Sequence, residues 1–244
     1  MEFEGRQDLK ISGAGSASGG SYNEVRISGA GEIKGDIDCN EFKVSGASEI
    51  KGNVKAKFAR ISGASDIRGN LISDEILVSG ASNVGGDVIA KRVKISGGSN
   101  IKGNLYVEDV EISGGIEIKG DCEAENFAAR GGFDIGGLLN AGNVDIRVGG
   151  LCRVSEIGCE RIEVKVADSG FFALKKLISD IFNFRSSLKC TVIEGDDIYL
   201  EATTAKIVRG NNVVIASDCE IELVEYKNDL KVQGNGRVKE QRRI

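Results

Sequence analysis

Six cysteines, Cys39, Cys122, Cys152, Cys159, Cys190 and Cys219, are the side chains in this sequence best suited to metal or redox chemistry. A zinc site would need them in close pairs or beside histidines, yet there is no Cys-x-x-Cys pair and the 244 residues contain no histidine. Cys39 shares a sequence column with Ala56, Ser73, Ala90, Val107, Ala124 and Ala141, and Cys122 sits in an aliphatic column. This predicts small buried core residues, with no metal and no cofactor. Carboxylates could still serve as general acids or bases, but those that can be placed fall in regular outward columns, where a solvated face is the simpler reading. No catalytic residue is assigned and no enzyme is expected.

The columns come from an internal repeat. The β-branched residue before Ser-Gly recurs as Ile27, Val44, Ile61, Val78, Ile95 and Ile112, always 17 residues apart. A second apolar column holds Ile33, Ile50, Ile67, Val84, Ile101, Ile118 and Ile135, and a third holds Ile37, Val54, Leu71, Val88, Leu105, Cys122 and Leu139. Between glycine corners, apolar and polar residues alternate, as in short half-buried strands. One such turn cannot bury its apolar side alone, whereas stacked turns share a continuous core. The fold class expected is all-β: a parallel β-helix (β-solenoid) of 17-residue coils with three short faces each. About eleven coils spaced ~4.8 Å apart would span roughly 50 Å.

The position after the corner glycine reads Asp36, Asn53, Asn70, Asp87, Asn104, Asp121, an Asx column read as favouring left-handed turn geometry. It never stacks two aspartates in succession, which like-charge repulsion explains. An acidic or amide column (Glu32, Glu49, Asp66, Asn83, Asn100, Glu117) does stack like charges, beside a mostly basic one (Lys34, Lys51, Arg68, Lys102, Lys119) expected to offset them. The serines Ser28, Ser45, Ser62, Ser79, Ser96 and Ser113 sit at glycine corners and read as turn residues. Three threonines are too few for an ice-binding array. Hexapeptide acyltransferases and solenoid carbonic anhydrases, enzymes on short-coil β-helices, both depend on histidine, which this chain lacks.

With 34 glycines, no proline and no tryptophan, the composition suits tight stacked corners. A net charge of −5 gives no reason to bind nucleic acid. No stretch approaches a transmembrane span, and MEFEGRQDLK lacks the features of a leader, so a cytoplasmic protein is expected.

The run SASGGSYNEVRISGAGEIKGDIDCNEFKVSG and the 17-residue copies that follow resemble the bactofilins, bacterial polymer-forming cytoskeletal proteins, in particular their longer Gram-positive-type members. The resemblance covers about residues 9–165, and IEGDDIYLEATTAKIVRGNNVVI (193–215) is similar to a second block of such members. It implies a right-handed β-helix that polymerises without nucleotide into filaments, often at the membrane, as a scaffold for other proteins. Independently of it, a solenoid ends in unpaired backbone groups that soluble repeat proteins normally cap, and no cap precedes DLKISG. End-to-end homopolymerisation is therefore expected, with Leu9, Ile11, Val224 and Tyr226 at the polymer interface; the alternative is a short terminal strand, or the basic tail RVKEQRRI, folded over an end as a plug.

The repeat falters near residue 145 and is interrupted by GFFALKKLISDIFNFRSSLK. On a helical wheel Phe171, Leu174, Leu177, Ile178, Ile181, Phe182 and Phe184 form one broad face with Phe172 at its side, which predicts an amphipathic helical insert over 169–189. Residues 170–189 carry Lys175, Lys176, Arg185 and Lys189 against Asp180 alone, a net charge of +3. A basic amphipathic segment reads as a contact for the inner face of the cell membrane or for a partner protein, the outward solenoid faces being charged and offering it no evident apolar seat; packing on the solenoid itself is the alternative. The domain plan is a repeat array over 1–168, the insert over 169–189, further coils over 190–226, in which Val213 and Ile215 answer Ile198 and Leu200 fifteen residues earlier, and a polar basic tail, partly loose, over 227–244. Two functions follow: a self-assembling, membrane-associated cytoskeletal scaffold with unidentified client proteins, or a non-polymerising solenoid that grips a protein partner through its insert.

Overall fold

Alternation of apolar and polar residues gives the backbone one side to bury and one to expose, and a computed structural model shows strand throughout the described residues, 5–167 and 187–244. The chain forms two compact units, Met1–Glu125 and Asn126–Ile244. The first holds β1 (Leu9–Ile11), β2 (Ala14–Ile27), β3 (Ala30–Val44), β4 (Ala47–Lys51), β5 (Val54–Ile61), β6 (Ala64–Ile67), β7 (Leu71–Val78), β8 (Ala81–Val84), β9 (Val88–Ile95), β10 (Gly98–Ile101), β11 (Leu105–Ile112) and β12 (Gly115–Ile118). After β13 (Cys122–Ala129), the second holds β14 (Gly132–Val148), β15 (Leu151–Val166), β16 (Ser187–Leu200), β17 (Thr203–Ile215), β18 (Glu220–Val232) and β19 (Arg237–Arg243). Each unit is built as a parallel β-solenoid, with about 13 turns in all among the described residues, more than the eleven the repeat suggested.

In the first unit the registers follow the repeat: Ile33↔Ile50, Ile50↔Ile67 and Ile67↔Val84 stack in one column, and Ile37↔Val54, Val54↔Leu71 and Leu71↔Val88 in another. Their side chains are at most 3% exposed. Burying each is worth about 1.5–3 kcal/mol, and because each layer packs on the next, the favourable terms accrue only in a stack.

The corners work differently from the sequence expectation. No residue of the Asx column has positive φ; among the described residues the only non-glycine ones that do are Ala202 and Asp218. The column is a hydrogen-bond ladder instead: the N–H groups of Asn53, Asn70, Asp87, Asn104 and Asp121 donate to the side-chain Oδ1 of Asp36, Asn53, Asn70, Asp87 and Asn104, at 2.7–2.9 Å. Each Asx therefore satisfies a corner N–H of the next turn. Asn70→Asp keeps the acceptor but stacks a carboxylate on Asp87. It is expected to cost about 1 kcal/mol at pH 7. Repulsion raises the folded-state pKa of the new carboxyl, so the deficit grows as pH rises through the carboxylate range and vanishes near pH 3. Thermal unfolding at both pH values reads it.

Glycine at the Ser-Gly corner is required by close approach. A Cβ on Gly46, Gly63, Gly80, Gly97 or Gly114 would overlap the carbonyl oxygen of the glycine one turn earlier. The serine beside it donates its backbone N–H to the preceding turn, as Ser45 N does to Ile27 O at 2.9 Å.

The second unit keeps the stacking but not the period. Val148 pairs Val166, Ile162 pairs Ile198, and Ile198 and Leu200 pair Val213 and Ile215, fifteen residues on as the sequence indicates. Residues 227–232 and 237–243 are strand, joined by a turn: β18 runs to Val232, and β19 pairs with β18 through Ile221↔Val238 and Val224↔Gln241. The helical insert expected over 169–189, with Phe171 through Phe184, lies outside the described residues up to 186.

Candidate assembly surfaces

A strand is bonded on two edges inside a stack, so the place to look for assembly is a strand bonded on one. Among the described residues β1 pairs only with β2, by Leu9↔Val25 and Ile11↔Ile27. The turn it opens is thin. Gly15, Ala17 and Gly20 occupy the positions that Gly31, Ile33 and Ile37 hold one turn later. Leu9 is half-buried and Ile11 is buried. Arg6 reaches across this layer, its Nη1 donating to Asp38 O and Oδ1 at 3.3 and 3.2 Å.

In the second unit β19 occupies the corresponding position, pairing only with β18 among the described residues. Of the other residues expected at an interface, Val224 is fully buried and Tyr226 half-buried, each lying under β19 opposite Gln241 and Arg243. The open edge here is therefore β19 itself. Its side chains are charged: Arg237, Lys239, Arg242 and Arg243 against Glu240, a net +3 over residues 237–244. Lys239 and Arg242 pair with Glu222 and Glu225 of β18 at 3.4 and 3.3 Å. The sequence signal for this strand was Val238, 17 residues after Ile221, in an otherwise polar stretch.

The lateral faces show how stacked carboxylates are tolerated. Lys51 reaches back to Glu32 at 2.6 Å, and Arg68 does the same for Glu49, so each acid takes the cation of the next turn. Gly85 stands where the cation for Asp66 would be. A shallow trough of about 390 Å³ runs here, lined by Ala30, Ala47, Ala64 and Ala81 along the acidic column. Its chemistry is poor. The Lys51 hydrogen bond holds the Glu32 carboxyl below its ordinary pKa, and among the described residues the other carboxyls with a displaced pKa (Asp8, Glu24, Glu163) are also pushed down, mainly by a hydrogen bond from Asn23, Arg26 or Lys165. A general acid needs the opposite displacement.

The thiols are equally unsuited to reaction. Cys39, Cys122, Cys152 and Cys219 are buried, and Cys159 and Cys190 half-buried. Burial pushes Cys39, Cys122, Cys159 and Cys190 up to about 12, and Cys152 and Cys219 to about 11. Reactive thiolates sit well below such values. Cys39 stacks on Ala56 as its column indicates. Among the described residues no helix is long and apolar enough to cross a membrane.

The chain is similar to two Bacillus subtilis (strain 168) proteins, the uncharacterized proteins YhbE and YhbF. The first is 41% identical over 92 residues, 37% of this chain and 36% of the relative. The second is 36% identical over 109 residues, 43% of this chain and 41% of the relative. The chain thus spans about two fifths of the length of these curated relatives. No solved structure matches it. A family model described as bactofilin, polymer-forming cytoskeletal, matches residues 48–140, a narrower span than the repeat itself. Over residues 48–140, within its stacked parallel turns, the chain is thus similar to the bactofilin domain.

Proposed function

We propose that the protein is a cytoskeletal scaffold subunit that polymerises end to end without nucleotide. One observation carries the reading. In the column Gly13, Gly29, Gly46, Gly63, every glycine from Gly29 onward has the carbonyl of the preceding turn against its Cα, whereas a Cβ on Gly13 would meet nothing within 4 Å. Glycine is kept at an edge where no described residue requires it, and a turn from another copy stacked on β1 would require it. The bonds that extend the stack are the same N–H to C=O ladder that joins turns within the chain, so growth calls on no hydrolysis step. Nucleotide-free pelleting at near-physiological salt tests this: the protein should sediment as polymer, and full retention in the supernatant at high concentration contradicts it.

Membrane attachment belongs to the same proposal and rests on sequence alone. Residues 171–184 combine seven large apolar residues of one helical face with Lys175 and Lys176. Phe171→Glu with Ile178→Glu is expected to reduce co-sedimentation with anionic vesicles at least tenfold while leaving assembly intact; unchanged vesicle binding would remove the membrane role.

A second reading, the non-polymerising module gripping a partner through residues 171–184, draws on β19. Charged side chains on an edge strand are a common way to prevent strand addition. Under that reading the pelleting assay yields soluble protein only.

A further inference from the structure

The strands β5, β7, β9 and β11 each turn a corner midway, where two successive side chains face outward: Lys57–Phe58, Asp74–Glu75, Lys91–Arg92 and Glu108–Asp109. On the face before that corner, the central outward column is Lys55, Ile72, Ile89, Tyr106, in register through all four turns. Ile72 is 36% and Ile89 41% exposed, two aliphatic residues side by side on a surface where most neighbours are charged. The sequence reading, which took the outward faces as charged throughout, missed this.

The corner column alternates in sign: Lys57, Asp74, Lys91, Glu108. Stacking within the chain accounts for part of this, since Lys91 pairs with Asp74 at 2.9 Å. It does not account for the isoleucines, which gain nothing from solvent.

We propose that this face binds the same face of a second copy, turned end for end about a two-fold axis that lies parallel to the strands and passes between β7 and β9. Such a rotation keeps each column opposite itself and reverses the order of turns. Ile72 then meets the partner's Ile89, and Lys55 meets the ring of the partner's Tyr106. Asp74 faces the partner's Lys91, and Lys57 the partner's Glu108. Each contact occurs twice, and every charged contact is attractive. Side-by-side copies running the same way are not complementary, because facing them requires rotation about the stacking axis, which sets the corner charges opposite the partner's Asx column. The match also has limits: one turn further out, Asp38 would face Glu123, so it spans four turns.

Four strands ~4.8 Å apart and about six residues wide give roughly 400 Å² per copy, about 800 Å² in all, which is below the size of a stable standalone interface. Pairing is therefore transient between single copies and strengthens where copies are already linked in an array.

Covalent trapping suits such a contact. Full-length Ile72→Cys and Ile89→Cys proteins, one carrying a mass tag, are mixed and mildly oxidised; the native thiols, with pKa values pushed to about 11 or 12, react slowly. The expected product is the 72–89 hetero-linked pair, at least fivefold over 72–72 or 89–89 links. Adding Lys91→Asp to both proteins should lower its yield about tenfold, and adding Asp74→Lys as well should restore it. Homo-links equal to or exceeding hetero-links, or a yield indifferent to Lys91→Asp, would overturn the pairing. The readout does not depend on end-to-end growth, so failure of the polymer proposal and failure of this one are separable.

Discussion

Gly63→Ala is expected to destabilise the first unit by about 3 kcal/mol or more, the upper range for forcing an atom into a packed interior. The added Cβ would overlap Gly46 O, the same carbonyl that accepts the Ala64 N–H at 2.9 Å. Relief would need the two turns to move apart, which would stretch that bond and press each turn against a neighbour it already meets at bonding distance, through Ala47 N to Gly29 O and Ala81 N to Gly63 O, each 2.9 Å. A flexible neighbour could give way, but backbone held in a ladder on both sides cannot. Urea unfolding followed by circular dichroism measures the effect. A change within ~0.5 kcal/mol, typical of an exposed substitution, would show that the turns are not stacked as closely as described.

The same substitution one end of the column away should behave in the opposite manner. Gly13→Ala meets no described atom within 4 Å, so folding stability should stay within ~0.5 kcal/mol of the parent. If a second copy stacks on β1, however, the new Cβ enters the space its carbonyl must occupy, and polymer mass in a pelleting assay should fall tenfold or more. Two outcomes at that edge are informative beyond yes and no. Assemblies that stop at two copies would mean that growth continues through β19 alone; single copies would mean that β1 meets β19 in every contact. Polymer of unchanged length would show that β1 is not an assembly edge.

How much of this was legible in the sequence follows from which atoms make each contact. A stacked core makes every layer impose the same demand on the next, so Ile33, Ile50, Ile67 and Val84 were readable as one column, and even the shorter step from Ile198 to Val213 was visible. The Asx column was visible too, but its reason was not, because the partner of each side chain is a backbone N–H of the next turn and carries no residue signature. β19 was legible only as an alternative, RVKEQRRI folded over an end, for the converse reason: Arg237–Arg243 has almost no apolar residue, and its place in the fold comes from backbone pairing to β18. Val224 and Tyr226, expected at the interface, therefore lie under β19, and the candidate edge in the second unit is that strand. The division at Glu125 and Asn126 falls inside the regular repeat, where no change of composition marks it. The alternation of Lys57, Asp74, Lys91 and Glu108 was present in the sequence all along, but reading it requires following outward columns with the care given to inward ones.

The central claim is that open strand edges make this protein a polymer subunit. Negative-stain electron microscopy of the purified full chain, without nucleotide and at near-physiological salt, tests it most directly. The account predicts filaments one turn-width across, shortening when Gly13→Ala protein is mixed in; uniformly short single particles at high concentration would contradict it.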